Sequence, residues 1–194
     1  MNFKYNSAHL MYLKETNQDV NLYSRQSEFE HKQIKEYIPI QPEVIMDLGC
    51  GLGRSSVYLN HIFHLNDINN EVHYILADTS KDASYYNMNL IASFCTLNGL
   101  LNFGLFDLEK SDWKGLAKKV DYVMSRMAYG YNLSIGPILQ KLLDISNDNV
   151  TMIFGIKDVN ITEDISAFKQ AIIIKEDNQN EFPHQNWLIL RGKK

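Results

Sequence analysis

The chain has 194 residues, of which 45% are hydrophobic and 22% charged, enough for one domain with a full core and unlike a disordered segment. Its formal net charge of -4 argues against nucleic acid as the main partner, since neutralising phosphates takes a basic surplus. Cys50 and Cys95 lie outside any CxxC or Cys/His cluster, which argues against a metal site and fits a reduced, cytosolic compartment; the first residues carry no signal-peptide core, and no run reaches the roughly 18 apolar residues of a membrane span.

Residues 1–40 read as a helical cap ahead of one compact unit, 41–194. Within the cap, Phe29, Ile34, Tyr37 and Ile38 space an apolar stripe along a helix from Glu28 to Ile38, and Pro39 and Pro42 stop it. Val44-Ile45-Met46 is a short buried strand ending in Asp47 and a glycine cluster. A helix pattern follows from Arg54 to about Phe63. Val72–Ala77 is a second strand, ending in Asp78, and Asp82–Leu97 is helical. Phe103–Phe106 ends in Asp107, and Val120–Met124 ends at Ser125. Pro137–Ile145 is a helix and Val150–Ile156 a fifth strand. Strands alternating with helices predict βαβ units and a parallel sheet covered on both faces. Ala171–Lys175 and Trp187–Arg191 are joined by a polar loop, Glu176–Asn186, too short for a crossover helix, so they predict an antiparallel hairpin. The expected fold is α/β, a three-layer Rossmann-like sandwich around a mainly parallel seven-stranded sheet with an antiparallel C-terminal edge.

The segment Asp47-Leu48-Gly49-Cys50-Gly51-Leu52-Gly53-Arg54 follows a strand and opens a helix. Glycines there let the backbone turn sharply and approach a ligand closely, and the helix start offers unpaired N–H groups. The dinucleotide pattern G-x-G-x-x-G/A fails in both registers, because Arg54 and Ser56 stand where it needs Gly or Ala. The glycines alternate instead, with an acid two positions ahead of the first. In this form, D-x-G-x-G-x-G, the segment resembles the first motif of the class I, Rossmann-like S-adenosylmethionine-dependent methyltransferases.

That resemblance implies S-adenosylmethionine as cofactor, held at successive strand ends. Asp47, Gly49, Cys50, Gly51 and Gly53 would form the loop beside its methionine part and ribose. Asp78, with Thr79 beside it, would take the ribose hydroxyls. It lies 25 residues after Gly53, against the usual spacing of about 20. Asp107 would receive the adenine amino group, and the Leu108 backbone N–H a ring nitrogen. Ser125 would stand beside the transferred methyl. Ser125-Arg-Met-Ala-Tyr-Gly-Tyr131 also looks like a tract of small bacterial methyltransferases, some associated with polysaccharide biosynthesis.

The resemblance places catalysis just after the fourth strand. Tyr129 and Tyr131 would hydrogen-bond the acceptor or line the methyl channel, and Arg126 would bind an anionic acceptor group. No histidine has a compelling setting as a base: His61 and His64 end the first crossover helix, and His184 lies in the hairpin loop. The N/D-P-P-Y/F tract of nucleic-acid amino-methyltransferases is absent at Ser125-Arg126-Met127-Ala128. Arg25 would close over the cofactor carboxylate. The expected activity is methylation, at oxygen, of a small-molecule or glycan-type acceptor in a shallow pocket; a homodimer is one allowed assembly. The alternative is a non-catalytic domain that keeps the fold and the cofactor.

Overall fold

The computed structural model describes residues 1–66, 72–79, 87–117, 119–157, 164–175 and 186–194. Two helices open the chain, α1 (Ser7–Glu15) and α2 (Val20–Ile34). The Asn6 side chain caps α1 in a box with His9, and Asp19 caps α2 by accepting the Asn21 and Leu22 N–H groups. The helix expected over Glu28–Ile38 starts earlier, because the Asp19 cap nucleates it, and ends in a 3-10 turn, Lys35–Tyr37, before Pro39.

Strands and helices then alternate: β1 (Val44–Leu48), α3 (Arg54–Leu65), β2 (His73–Asp78), α4 (Met88–Leu97), β3 (Phe103–Asp107), β4 (Val120–Ser125), α5 (Gly136–Ile145), β5 (Ser146–Ile156), β6 (Phe168–Ile174) and β7 (Asn186–Lys193). Residues 82–86 of the helix expected from Asp82, and the loop containing His184, lie outside the described residues; α4 itself begins at Met88, where the extended Asn87 caps it by accepting the Leu90 N–H. The seven strands form one sheet in the order β3-β2-β1-β4-β5-β7-β6. The first five are parallel, and β7 runs antiparallel between β5 and β6. The hairpin is therefore laid with its last strand innermost. Residues Trp187–Leu190 of β7 are apolar and buried on both faces, whereas β6 carries Lys169 and Gln170 to the rim, where an edge strand tolerates them.

The two sheet faces are covered unequally. One core gathers Ile45, Tyr74, Leu76, Tyr122, Met124 and Ile189 of the sheet with residues of α1, α2, α3 and α4. The other gathers Met46, Leu48, Ile75, Val123, Phe154 and Leu188 with α5 and the 3-10 turn Trp113–Leu116. Strand side chains alternate between faces, so the first core fixes the parity of each strand end. On β1 the series Ile45, Asp47 points towards α2 and α3. On β2 Tyr74, Leu76, Asp78 does the same, and on β4 Tyr122, Met124, Arg126. The order β2-β1-β4 reverses the direction of strand addition at β1, the switch point where open α/β sheets bind ligands. Three charged side chains thus reach one face of one crevice, under the cap.

Candidate functional site

The turn after β1 is pinned to β2. Gly49 and Cys50 N–H both donate to the Ala77 carbonyl, at 2.7 and 3.1 Å, and Gly53 N–H donates to Cys50 O at 2.8 Å. Gly49, Gly51 and Gly53 all adopt positive φ (+72°, +53° and +82°), so no residue with a Cβ fits the turn without strain. Their surroundings differ. A Cβ on Gly49 would stand 2.1 Å from the Ala128 Cβ, and one on Gly53 2.9 Å from the Cys95 Sγ. Around a Cβ on Gly51, among the described residues beyond its chain neighbours, the only atom within 4 Å is the Tyr12 hydroxyl, at 3.9 Å. Two glycines admit protein; the middle one faces open space.

That space is a cleft of about 570 Å³, within the range of small-molecule sites. The turn contributes Asp47, Gly49, Cys50, Gly51, Arg54 and Ser55, β2 contributes Asp78, and the segment after β4 contributes Arg126, Met127, Ala128 and Asn132. The cap supplies the opposite wall: Tyr12, Thr16, Asn17, Gln18, Asp19, Leu22, Tyr23 and Gln26. Asn17 is the one described non-glycine residue with positive φ (+53°), a conformation asparagine tolerates.

Asp78 spans the cleft floor. Its Oδ2 accepts the Gly51 N–H at 3.0 Å and its Oδ1 the Thr79 N–H at 2.8 Å. Burial raises its pKa against the lowering by those two bonds. Asp47 lies deeper and is buried. The Ser56 hydroxyl donates to its Oδ2 at 2.8 Å. Burial pushes its pKa up to about 6, although Ser56, Arg126 and Arg54 all favour the ionised form.

The arginines share one buried partner from the cap. Glu30, 2% exposed, accepts from Arg54 Nη1 and Nη2 at 3.2 and 3.3 Å and from Arg126 Nη1 at 2.9 Å. Gln26 Nε2 donates to the same carboxylate at 2.9 Å and approaches the Met127 Sδ at 3.1 Å. Arg54 also donates to the Ser27 hydroxyl at 2.9 Å and stacks over the Tyr23 ring, 4.9 Å from its centroid. Burial works against the Arg54 charge, but Glu30, Tyr23 and Asp47 outweigh it and raise its pKa.

Of the residues expected from the sequence, Asp47, Gly49, Cys50, Gly51, Asp78 and Arg126 line the cleft. Gly53 packs behind it. Thr79 gives its N–H to Asp78. Asp107 caps its own turn, accepting Glu109 and Lys110 N–H at 2.9 and 3.3 Å, and Leu108 N–H donates to the Asp78 carbonyl at 2.9 Å as the sheet ladder continues. Neither lines the cleft. Ser125 follows Val123 onto the α5 face, where its hydroxyl accepts the Tyr129 N–H at 3.0 Å. Tyr129 packs into that same core, and Tyr131 lies under the Lys157 ammonium at 4.6 Å, so neither forms the cleft wall. Arg126, expected to bind an anionic acceptor group, donates its Nη1 to Glu30, a carboxylate it shares with Arg54. Arg25 is exposed and outside the lining; Arg54 takes its place beside the turn. Glu30, Tyr12, Gln26 and Asn132 carried no sequence signal of a site beyond lying in the cap or after β4. Among the described residues no cluster of His, Cys, Asp or Glu has the makings of a metal centre, and no helix is long and apolar enough to cross a membrane.

Two outcomes are expected. Gly49→Ala should lower stability to denaturant by about 2–4 kcal/mol, combining an overpacked contact with a left-handed backbone at a Cβ-bearing residue; adding Ala128→Gly should recover the overpacking part. Asp47 is protonated more readily in the native state than when unfolded, so its contribution is full below about pH 4 and is lost as the pH rises to about 6. The stability difference between wild type and Asp47→Asn, from denaturant midpoints, should therefore shift against wild type by on the order of 3 kcal/mol across that window and stay level above it. A difference independent of pH would mean that Asp47 ionises normally.

No protein-family model matches the sequence, and neither does any curated protein. Solved structures do match. A S-adenosylmethionine-dependent methyltransferase from Aquifex aeolicus aligns over 96% of this chain and 98% of its own, with TM-score 0.60 and 11% identity. The O-methyltransferase TomG from Streptomyces achromogenes, involved in tomaymycin synthesis and solved with S-adenosylmethionine, aligns over 99% and 92%, with TM-score 0.60 and 11% identity. The tRNA (m1A58) methyltransferase TrmI from Aquifex aeolicus aligns over 87% and 69%, with TM-score 0.62 and 9% identity. The chain spans less than two thirds of the length of some others, 63% of a match from Pyrococcus horikoshii and 60% of one from Nostoc punctiforme. Identities this low speak to fold alone. With the order β3-β2-β1-β4-β5-β7-β6 and an antiparallel β7, the chain has the fold of the class I S-adenosylmethionine-dependent methyltransferases.

Proposed function

We propose that the chain binds S-adenosylmethionine in this cleft and methylates a hydroxyl of a small-molecule or glycan-type acceptor. One observation carries the reading: Gly51 and Asp78, joined by the Gly51 N–H at 3.0 Å, border the same open cleft at the switch between β2, β1 and β4. An ionised carboxylate has about four acceptor positions. Gly51 and Thr79 N–H use two of them, which leaves two for the two ribose hydroxyls. Gly51 lacks the Cβ that would fill the cradle. Asp107 and Leu108 add nothing to the reading, since their polar groups serve the turn and the ladder.

When bound, the cofactor supplies an electrophilic methyl group, so the protein has chiefly to orient the acceptor and keep water out, effects worth several kcal/mol. Met127, Ala128 and Asn132 after β4 face the cap residues Gln18, Asp19, Leu22 and Gln26 across the cleft. Asn132 is fixed for this role: its Nδ2 donates to Met127 O at 2.6 Å, and its Oδ1 accepts from Lys157 at 3.2 Å. With Asp47 sealed under the turn and Asp78 reserved for ribose, Asp19 is the remaining carboxylate on the cleft wall among the described residues; its Oδ1 caps α2, which makes its Oδ2 the candidate to take the hydroxyl proton. The reduced, cytosolic setting proposed for the chain accords with its two cysteines, both free thiols.

A second reading, a cofactor-binding domain without catalysis, is favoured by the placement of Ser125, Tyr129 and Tyr131 off the cleft wall. Incubation with methyl-labelled cofactor and a cell extract separates the two. Label should pass to a protein-free fraction; label that never leaves the cofactor leaves only the second reading standing. Both readings expect Asp78→Ala to weaken S-adenosylhomocysteine binding by about 1–3 kcal/mol, the cost of unpaired ribose hydroxyls, and Gly51→Val to abolish it. Calorimetry that finds either variant binding like wild type removes the residue from the site. Affinity should also fall on acidification, beginning above the ordinary carboxylate range, as the raised pKa of Asp78 protonates its acceptor oxygens.

A further inference from the structure

Glu30 is the group that this reading leaves unexplained. It sits in the cap, almost fully buried, where an ionised carboxylate is costly unless every charge is met. It is met by two guanidiniums from two different loops. Arg54 begins α3 at the end of the glycine turn, and Arg126 leaves the C-terminal end of β4. Both line the cleft. The alternation of strand side chains puts Arg126 on the cap face, and α2 delivers the carboxylate to it from above. One side chain of the cap thus sets the distance between the turn after β1 and the segment after β4.

The cleft has two ends in the sheet. Asp78 lies on the β2 side of β1, and Arg126 on the β4 side. If ribose is held at Asp78, the nucleoside occupies the β2 side and the amino-acid end of the ligand reaches the β4 side, where Glu30 gathers the arginines. We infer that Glu30 is a positioning residue for the amino-acid end of the ligand: by clamping Arg54 and Arg126 it holds the β4 side of the cleft at the width that end requires. This rests on the cofactor reading above. Glu30 touches no ligand in this role; it acts through the two arginines.

The test compares two compounds. S-adenosylhomocysteine carries both the nucleoside and the amino-acid end; 5′-methylthioadenosine carries the nucleoside and the sulfur but lacks the amino-acid end. Isothermal titration of both into wild type and Glu30→Gln should show S-adenosylhomocysteine weakened tenfold or more in the variant. The affinity for 5′-methylthioadenosine should stay within about twofold. A residue that merely stabilised the fold would weaken both alike, and that result overturns the inference, as does a variant that binds both like wild type. Wild type that binds neither compound overturns the methyltransferase reading and the inference with it. Should Glu30→Gln yield too little folded protein, Glu30→Asp is read the same way, since it keeps the buried charge and both arginines while shortening the clamp.

Discussion

Four charges meet beneath the glycine turn, two guanidiniums and two carboxylates, all of them buried. Arg54 and Arg126 carry the positive pair, Glu30 and Asp47 the negative, and together they balance when Asp47 is ionised. Buried charges are tolerated only when paired and hydrogen-bonded, and that requirement ties together parts of the chain that share no sequence neighbourhood. It joins α2 to the start of α3 and to the end of β4. Remove the cap, and two arginines at the sheet edge lose their main partner. The cap is thus bound to the sheet by electrostatic need as well as by Tyr12, Leu13, Tyr23 and Ile34 in the common core.

The glycine turn shows how one motif serves separate physical ends. All three glycines need the left-handed region, but Gly49 makes room for Ala128 and Gly53 for Cys95, so two of them let protein pack against protein. Only Gly51 leaves its volume to the cleft. The alternating pattern joins two packing demands to one open face on the cleft. Its position is fixed in turn by the Ala77 carbonyl, which takes two N–H groups of the turn, and by Asp78, which takes a third.

The strands, the crossover helices and the final hairpin were legible in the sequence because each is a local pattern of period or length. So were the ends of β1 and β2, where an apolar run stops at an acid. What the residues did not disclose is parity. Ser125 and Arg126 adjoin, and the run Val120–Met124 does not say which of them turns to the crevice; the pleat, set by Tyr122 and Met124 in the α2 core, decides for Arg126. Nor did Asp107 disclose its turn-capping bonds, since a strand-end acid that caps its own turn has the same spelling as one that does not. Glu30 was hidden more deeply. It lies among Glu28, His31 and Lys32, which reads as a solvated helix face, and its partners stand 24 and 96 residues away. Long-range charge pairing leaves no periodic trace.

The make-up of the cleft wall bears on what it accepts. Thr16, Asn17, Gln18, Gln26 and Asn132 bring a hydroxyl and four carboxamides, groups that both donate and accept. The charges nearby are already matched, Arg54 and Arg126 by Glu30 and the ionised Asp47, so the wall offers little net field to a phosphate backbone. The overall charge of -4 points the same way. A neutral, bifunctional surface of this kind is complementary to a hydroxylated ligand, whose oxygens also play both parts. Most of these residues stand on the cap, beyond the strand ends, so under the proposed function acceptor recognition and cofactor binding draw on different segments of the chain. On that reading α2 ties the two sides together through Glu30, and the selectivity of the wall can change with the loop from Thr16 to Asp19 while the strand ends on the β2 side stay as they are.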